Sequence, residues 1–124
     1  MVWTNYGCEN IKQVGILGSG TPPNWMGIGA GSGTEAITES GLKTEHTSLR
    51  KQYDTVTGVT SQQSVSTFSF ASNSLSGLTV SEFGMWSDAT GGNIWDVHRF
   101  GSVAFDGTVE LQIQVTTLIN PSGT

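Results

Sequence analysis

TVELQIQVTTLI, residues 108–119, alternates apolar and polar side chains. The apolar set is Val109, Leu111, Ile113, Val115 and Ile119, and the polar set is Glu110, Gln112, Gln114 and Thr116. A period of two places successive side chains on opposite faces of a β-strand. The pattern predicts a strand with one buried face and one solvated face, long enough to cross the whole domain.

Further strand patterns lie upstream of this segment. SVSTFSFAS, residues 64–72, is rich in β-forming residues and places Phe68 and Phe70 on one face. GLTVSEFGMW (77–86) and NIWDVHRFGSVAF (93–105) flank the turn segment SDATGG, in which Asp88, Gly91 and Gly92 tolerate positive φ. FDG, residues 105–107, is a second turn. These segments predict an antiparallel meander of three or four strands from about residue 64 onward.

The first half of the chain is less regular. Residues 9–17 fit a short helix or a strand, and WMGIGAG, residues 25–31, fits a short strand. Residues 34–51 have helical character, but Gly41 keeps any helix there short. We therefore predict an all-β, single-domain antiparallel β-sandwich, jelly-roll-like, with at most one short helix. The domain spans residues 1–124, with an N-terminal arm at 1–10 and a C-terminal tail at 120–124.

Composition excludes several classes of function. The net charge is −5 and the five basic residues are scattered, which argues against a nucleic-acid partner. No apolar run approaches the 18 or so residues of a membrane-spanning helix, so we expect no membrane partner. Cys8 is the only cysteine and forms no internal disulfide, which is typical of a protein made in a reducing cytoplasm.

A glycine-rich segment, NWMGIGAGSGTE at residues 24–35, raises the possibility of a phosphate-binding loop. A phosphate-binding P-loop needs a Lys directly after its last glycine, and here no basic residue follows Gly33 until Lys43. The G-x-G-x-G-x-G spacing also differs from the dinucleotide fingerprint. We interpret the segment as a strand and turn in which glycines admit another backbone or a large ring.

The chemistry of catalysis is weakly represented. Asp96 and His98 share a strand face and are the nearest approach to a general-base pair or half of a metal site, but the pattern favours a surface ion pair. Cys8 is interpreted as a buried or incidental thiol. We expect no enzyme activity, no catalytic residues, no cofactor and no metal.

The aromatic residues point to contacts between proteins. Large side chains of this kind fill a core or a subunit interface more often than they bind sugar. The candidate interface residues are Trp3, Trp25, Met26, Trp86 and Trp95. A sugar platform formed by Trp25, Trp86 or Trp95 is the alternative.

Two segments carry a combination of residues that is typical of one protein family. In IGAGSGTEAITESGLKTEHTSLRK the positions are Ile28, Gly29, Gly31, Gly33, Leu42, Glu45 and Arg50. In EFGMWSDATGGNIWDVHRFGSVAFDGTVELQIQVTTLI they are Glu82, Gly84, Trp86, Thr90, Gly91, Gly92, Arg99 and Phe100. In their order and spacing the two segments resemble a family of small structural proteins of tailed bacteriophages, and the resemblance covers roughly residues 10–119. The longer gap between Glu45 and Arg50 departs from the family's pattern.

The resemblance implies a compact antiparallel β-sandwich without catalytic residues, assembled into a virion in the bacterial host cytoplasm. The expected function is a capsid decoration (cement) protein, with tail fibre, collar or baseplate component and carbohydrate-binding module as alternatives. Expected partners are the phage major capsid protein or tail proteins, and further copies of the chain in a homo-oligomer such as a trimer. Glu82 and Arg99 would form a structural pair if the Gly91–Gly92 turn places them on neighbouring strands.

Overall fold

The computed structural model describes residues 2–15, 17–58 and 63–118, most of which form or connect β-strands. In chain order the elements are β1 (Val2–Trp3), α1 (Asn5–Gly15), β2 (Trp25–Gly29), β3 (Lys51–Gln52), β4 (Thr55–Thr57), β5 (Gln63–Phe70), a 3₁₀ turn (Ser72–Ser74), β6 (Thr79–Trp86), β7 (Asp96–Ala104) and β8 (Leu111–Leu118). The strands form two antiparallel sheets, which confirms the predicted all-β sandwich. Among the described residues, α1 is the one α-helix.

The order of the strands differs from the predicted meander. The five-stranded sheet has the order β1-β7-β6-β2-β3, and the three-stranded sheet has the order β4-β5-β8. The predicted hairpin of β6 and β7 is confirmed, but β5 pairs with β8, so the chain changes sheet after β5 and again after β7. The meander was wrong because alternation identifies the buried face of a strand and leaves its partner undetermined.

The core lies between the two sheets. Met26, Ile28, Phe83 and Met85 extend from the five-stranded sheet, where strand register pairs Met26 with Met85 and Ile28 with Phe83. Phe68 and Phe70 extend from the three-stranded sheet into the same cluster, as their shared face predicts. Burial of these six apolar side chains is the main stabilising contribution to the sandwich.

The N-terminal segment, predicted as an arm, forms β1 and the start of α1 in its described residues, 2–10. Val2 and Trp3 pair with Val97 and Asp96 of β7. The Thr4 hydroxyl accepts a hydrogen bond from the backbone N–H of Gly7 (3.0 Å), which caps the helix. A Cβ at Gly7 would lie 2.7 Å from the carbonyl carbon of Trp95, so glycine lets α1 rest directly on that backbone.

The terminal strand shows the predicted alternation. Leu111, Ile113 and Val115 are half-buried against the core, while Gln112, Gln114 and Thr116 are exposed. Val109 precedes the strand and is 61% exposed, so its predicted burial is wrong. Ile119 and the predicted tail, residues 120–124, lie outside the described residues. The assignment of one domain to residues 1–124 stays a prediction.

Residues 30–50, here called the 30–50 loop, contain no helix, although residues 34–51 have helical character in the sequence. The loop runs back along β2, where Ala30 N–H donates to Thr44 O (2.9 Å) and His46 N–H donates to Ile28 O (2.9 Å). Tertiary contacts have overridden local helix propensity, which is a weak preference in a short polar segment.

Candidate functional site

The most elaborate group of contacts lies on the outer face of the five-stranded sheet, the face turned away from the three-stranded sheet. Gly27 and Gly84 are register partners there, and Gly29 lies one pleat further along β2. A Cβ at Gly27 would lie 2.7 Å from the ring of Trp86, and one at Gly29 would overlap the backbone of Thr44. The glycine-rich segment therefore admits a large ring and a second backbone, which confirms its predicted role.

Glu82 is the centre of this face and is fully buried. Its carboxylate accepts hydrogen bonds from the backbone N–H groups of Gly31 (2.6 Å), Thr44 (2.9 Å) and Lys43 (3.1 Å). It also accepts one from Nε of Arg99 (3.2 Å), its register partner on β7. The predicted Glu82–Arg99 pair is confirmed. Four donors compensate the carboxylate for its lost hydration, so Glu82 holds the 30–50 loop against the sheet.

Arg99 extends this network to the far side of the loop. Its guanidinium forms a bidentate pair with Glu39 and donates to Thr34 O (3.3 Å), while its backbone N–H donates to Glu35 Oε1 (2.9 Å). The hydrogen bonds from Arg99 hold the pKa of Glu39 below its usual range, and those to Glu39 raise the pKa of Arg99. Two carboxyl groups, those of Glu82 and Glu39, thus share one buried guanidinium.

A second ion pair fixes the end of the 30–50 loop. Arg50 is bidentate with Glu45, through Nε to Oε2 (2.7 Å) and Nη2 to Oε1 (3.0 Å). Its Nη1 donates to the backbone oxygens of Gly91 (2.7 Å) and Asp88 (3.1 Å), which lie in the β6–β7 connection. The guanidinium carbon lies 3.7 Å from the centroid of the Trp86 ring, in cation–π contact. One side chain therefore joins the loop, the hairpin turn and the core.

The two segments that resemble the phage family meet in this place. Contacts between them join Gly31 to Glu82, and Arg50 to Trp86 and Gly91. These pairs are separated by 36 to 51 residues in the chain. Neither the spacing nor the types of these residues predicted that they would be in contact, although Gly29 and Gly31 indicated a close approach.

The five predicted interface residues are divided by the structure. Met26, Trp86 and Trp95 are buried inside the chain and have no surface to offer a partner or a sugar. Trp3 is 38% exposed and Trp25 is half-buried, so these two retain accessible surface. Trp95 packs edge-on against Tyr6 of α1, with ring centroids 6.3 Å apart.

Asp96 and His98 do not form the surface ion pair that the sequence favours. Asp96 is buried, its Oδ1 has no hydrogen-bond partner among the described residues, and burial raises its pKa to about 6. His98 Nδ1 instead lies 3.7 Å from Glu35 Oε1, and its ring stacks near Phe100. The expectation was wrong because alternation puts both side chains on the face that packs toward the core.

The remaining reactive side chains are separate from one another. Cys8 is an exposed free thiol on α1. Of the two predictions, a buried thiol or an incidental one, the structure therefore excludes the buried thiol. Nε2 of His46 lies 2.7 Å from Thr79 O, which ties the 30–50 loop to the start of β6. In residues 2–15, 17–58 and 63–118 no three His, Cys, Asp or Glu side chains are grouped to hold a metal ion. No helix in those ranges is long and apolar enough to span a membrane.

An open cleft of about 370 Å³ lies between the start of α1 and the 30–50 loop. Its lining residues are Asn5, Tyr6, Ile37, Thr38, Glu39, Ser40 and Asn93. Ile37 is 56% exposed at its rim, and its carbonyl accepts the N–H of Asn5 (2.7 Å). Trp3 lies two residues before Asn5 and is also exposed, but it pairs with Asp96, so its side chain is on the opposite face of the five-stranded sheet from the 30–50 loop.

Fold and site together define an all-β sandwich whose long loop is held down by buried ion pairs. No protein-family model matches the chain, and no curated protein matches it.

Proposed function

We propose that the protein is a structural component of a tailed-bacteriophage virion and that it acts as a capsid decoration protein. In this function it binds the assembled shell through its surface and catalyses no reaction. The phage major capsid protein would be its main partner. A tail-fibre, collar or baseplate position is the alternative within the same class.

The observation that carries this proposal is the contact between the two segments that resemble the phage family. Their weak motifs are each composed of common hairpin and strand residues. In the fold they meet at two places on the same face of the sheet, one around Glu82 and one around Arg50 and Trp86. Each segment alone is a common sequence pattern. The contacts between the two segments make their joint occurrence in one chain more specific, and this supports the resemblance.

The network also suits a protein that braces a shell. A loop of 21 residues without regular structure is uncommon in a compact domain unless it has a function. Here buried hydrogen bonds and two bidentate pairs hold the loop in one conformation. A surface ordered in advance loses little conformational entropy on binding, so small contacts repeated over many copies stabilise a shell effectively.

Trp3 and Ile37 are the contact residues we assign to the capsid-binding surface. Both are exposed apolar side chains, and Trp is strongly enriched among the residues that dominate binding energy. Trp25 offers further accessible surface on β2. Apolar burial on binding contributes at most about 25 cal/mol per Å².

Copy number in purified virions, measured by quantitative mass spectrometry against the major capsid protein, tests the proposal. Hundreds of copies in a fixed ratio to the capsid protein would support the decoration function. A few copies, in a multiple of three or six, would support the tail alternative. Absence from purified virions would overturn the proposal.

Binding to purified shells that lack the protein tests the assigned surface. Trp3→Ala and Ile37→Ser should each weaken binding in a co-sedimentation assay. Val109→Ser is the matched control, because Val109 is equally apolar and 61% exposed but precedes β8. Equal binding by all three variants would show that the contact surface lies elsewhere.

The cleft beside α1 favours one second candidate, a glycan-binding function. Tyr6 offers an aromatic ring, and Asn5, Thr38, Ser40 and Asn93 offer amide and hydroxyl groups of the kind that bind sugar hydroxyls. Glycan-array binding that Tyr6→Ala abolishes would support this function. Binding that survives Tyr6→Ala, or no binding to any glycan, would exclude the cleft as a sugar site.

A further inference from the structure

The outer edge of β8 has no strand beside it in the part of the chain that the structure describes. Among the described residues β8 pairs with β5 alone, in a register that runs unbroken from Gln63 opposite Leu118 to Phe70 opposite Leu111. In an antiparallel strand every second residue directs its N–H and C=O away from the paired neighbour. Eight residues of regular strand therefore present unpaired backbone donors and acceptors along one line.

Other strand edges in the molecule carry the protection that edges usually have. β4 is only three residues long, and just before it Asp54 and Lys51 bind the N–H and C=O of Ser69 (2.6 and 2.5 Å). On β7 the N–H of Arg99 is taken by the carboxylate of Glu35, and the register shifts between Val80 and Glu82 on its partner β6. Short edges, charges and bulges prevent pairing with another chain.

β8 has none of these devices. Its sequence, LQIQVTTL, contains no charged residue, no proline and no glycine, and its register with β5 has no bulge. Leu111, Ile113 and Val115 face the core but stay half-buried, which leaves apolar surface along the edge. A regular, uncharged strand edge with apolar surface beside it is a template for adding one more strand.

We propose that β8 pairs antiparallel with β8 of a second copy of this chain, joining the two three-stranded sheets into one six-stranded sheet. A second copy fits better than an unrelated partner because the strand is complementary to itself. Gln112, Gln114 and Thr116 make its exposed face polar, and Leu111, Ile113 and Val115 make its inner face apolar up to Thr117. Because it has no charge, self-pairing brings no like charges together. The inference rests on strand geometry and does not depend on the proposed function.

The two-fold symmetry of such a dimer restricts the register. The axis must be perpendicular to the sheet for the polar faces to coincide, so each pair must join residues of the same face. The register centred on Gln114 meets this condition and overlaps seven of the eight residues of β8. It places Ile113 opposite Val115 and Gln112 opposite Thr116. Leu111 then lies opposite Thr117.

Charge substitution at Gln114 tests both the dimer and the register. Size-exclusion chromatography with light scattering should give the mass of two chains for the parent protein. Gln114→Lys and Gln114→Glu should each give the mass of one chain, because two like charges would face each other at the axis. An equimolar mixture of the two variants should recover the dimer. Gln114 is exposed, so neither variant should fail to fold, and circular dichroism verifies this.

Thr57→Lys is the matched control. Thr57 is exposed on β4 at the opposite edge of the same sheet, so a charge there should leave the dimer intact. A monomeric parent, a trimeric parent, or Gln114 variants that remain dimeric would each overturn the proposal. Recovery of the dimer in the mixture, but in neither variant alone, would establish it.

Discussion

The outer faces of the two sheets have opposite compositions. On the five-stranded sheet the outer face carries glycines, Glu82, Arg99 and Trp86, and the 30–50 loop covers it. On the three-stranded sheet the outer face carries Thr55, Thr57, Val65, Thr67, Ser69, Gln112, Gln114 and Thr116, and most of these are at least partly exposed. One face combines glycine with charge, and the other consists mainly of hydroxyl and amide groups.

This difference shows what a sheet needs in order to be covered by its own chain. Glycine removes the side chains that would keep a loop at a distance, and a buried carboxylate then gives the backbone N–H groups of that loop a partner. Neither feature alone would suffice, because a close loop without an acceptor buries unpaired donors. The three-stranded sheet has neither, so its outer face remains available to solvent or to another molecule.

The largest loss of stability should come from removing the Arg99 guanidinium, on the outer face of the five-stranded sheet. Arg99→Met leaves Glu82 and Glu39 buried without their guanidinium, and we expect a loss of about 3–5 kcal/mol in the free energy of unfolding. Urea denaturation measures this loss. Lys51→Met, at the exposed pair with Asp54, should lose far less. If Arg99→Met and Lys51→Met lost equal free energy of unfolding, the buried ion pairs would stabilise the fold no more than the exposed one.

The glycines provide the next largest effect. A Cβ at Gly31 would overlap the Glu82 carboxylate, so Gly31→Ala should cost about 2–3 kcal/mol. Gly41→Ala is the control in the same loop, because a Cβ there meets open space and Gly41 has no positive φ. We expect the control to melt at or slightly above the parent temperature. A harmless Gly31→Ala would mean that the loop is not held as closely as the contacts indicate.

Asp96 should have an intermediate effect that depends on pH. Burial raises its pKa from 3.8 to about 6, so between these values the folded protein binds more protons than the unfolded chain and stability falls as pH rises. Asp96→Asn lacks this decline. At pH 8 we expect a gain of about 1–2 kcal/mol, less than the roughly 3 kcal/mol of the full shift, because the Asn amide also lacks partners.

Thermal melts of both proteins between pH 4 and pH 8 measure this effect. Glu39 acts in the opposite sense, because its lowered pKa gives stability that is lost as pH falls. Both proteins share that contribution, so it cancels in the difference between them. A difference that stays constant with pH would show that Asp96 does not titrate in this range.

The smallest change in stability should come from a substitution on the outer face of the three-stranded sheet. Thr57→Ala removes an exposed hydroxyl with no packing role, and we expect the free energy of unfolding to change by no more than about 0.5 kcal/mol. The measurement sharpens the comparison of the two faces. A loss above about 1 kcal/mol would mean that something covers this face in solution, since a solvated threonine has little to lose.

Local pattern was sufficient to predict the five longer strands (β2, β5, β6, β7 and β8) but not the short strands β1, β3 and β4, and not which strands pair. The alternation in residues 111–116 and the shared face of Phe68 and Phe70 follow from a period of two, which any strand must obey. The partner of each strand depends on which buried faces fit together, and this is decided by the whole core. For that reason the β6–β7 hairpin, whose nine-residue connection contains the turn glycines Gly91 and Gly92, was predictable, whereas the pairing of β5 with β8 was not.

The candidate site was predictable only in part. Glu82 and Arg99 could be paired in advance because a hairpin fixes the register between its own strands. Glu39 and Glu45 could not be assigned to their arginines, since a loop without periodicity gives no indication of where its side chains will lie. The burial of Trp86 and Trp95 was missed because an aromatic residue has the same appearance in a sequence whether it fills a core or an interface.

The buried carboxylate of Glu82 also fixes an order of events during synthesis. Its backbone donors at Gly31 and Thr44 precede it by 51 and 38 positions, and Arg99 follows it by 17. The ribosome synthesises the 30–50 loop before Glu82 and Arg99, so the loop lacks these hydrogen-bond partners until residue 99 has emerged. Contacts of such long sequence separation also slow folding. The newly made chain therefore exposes its glycine-rich strand to other chains until the β6–β7 hairpin has formed.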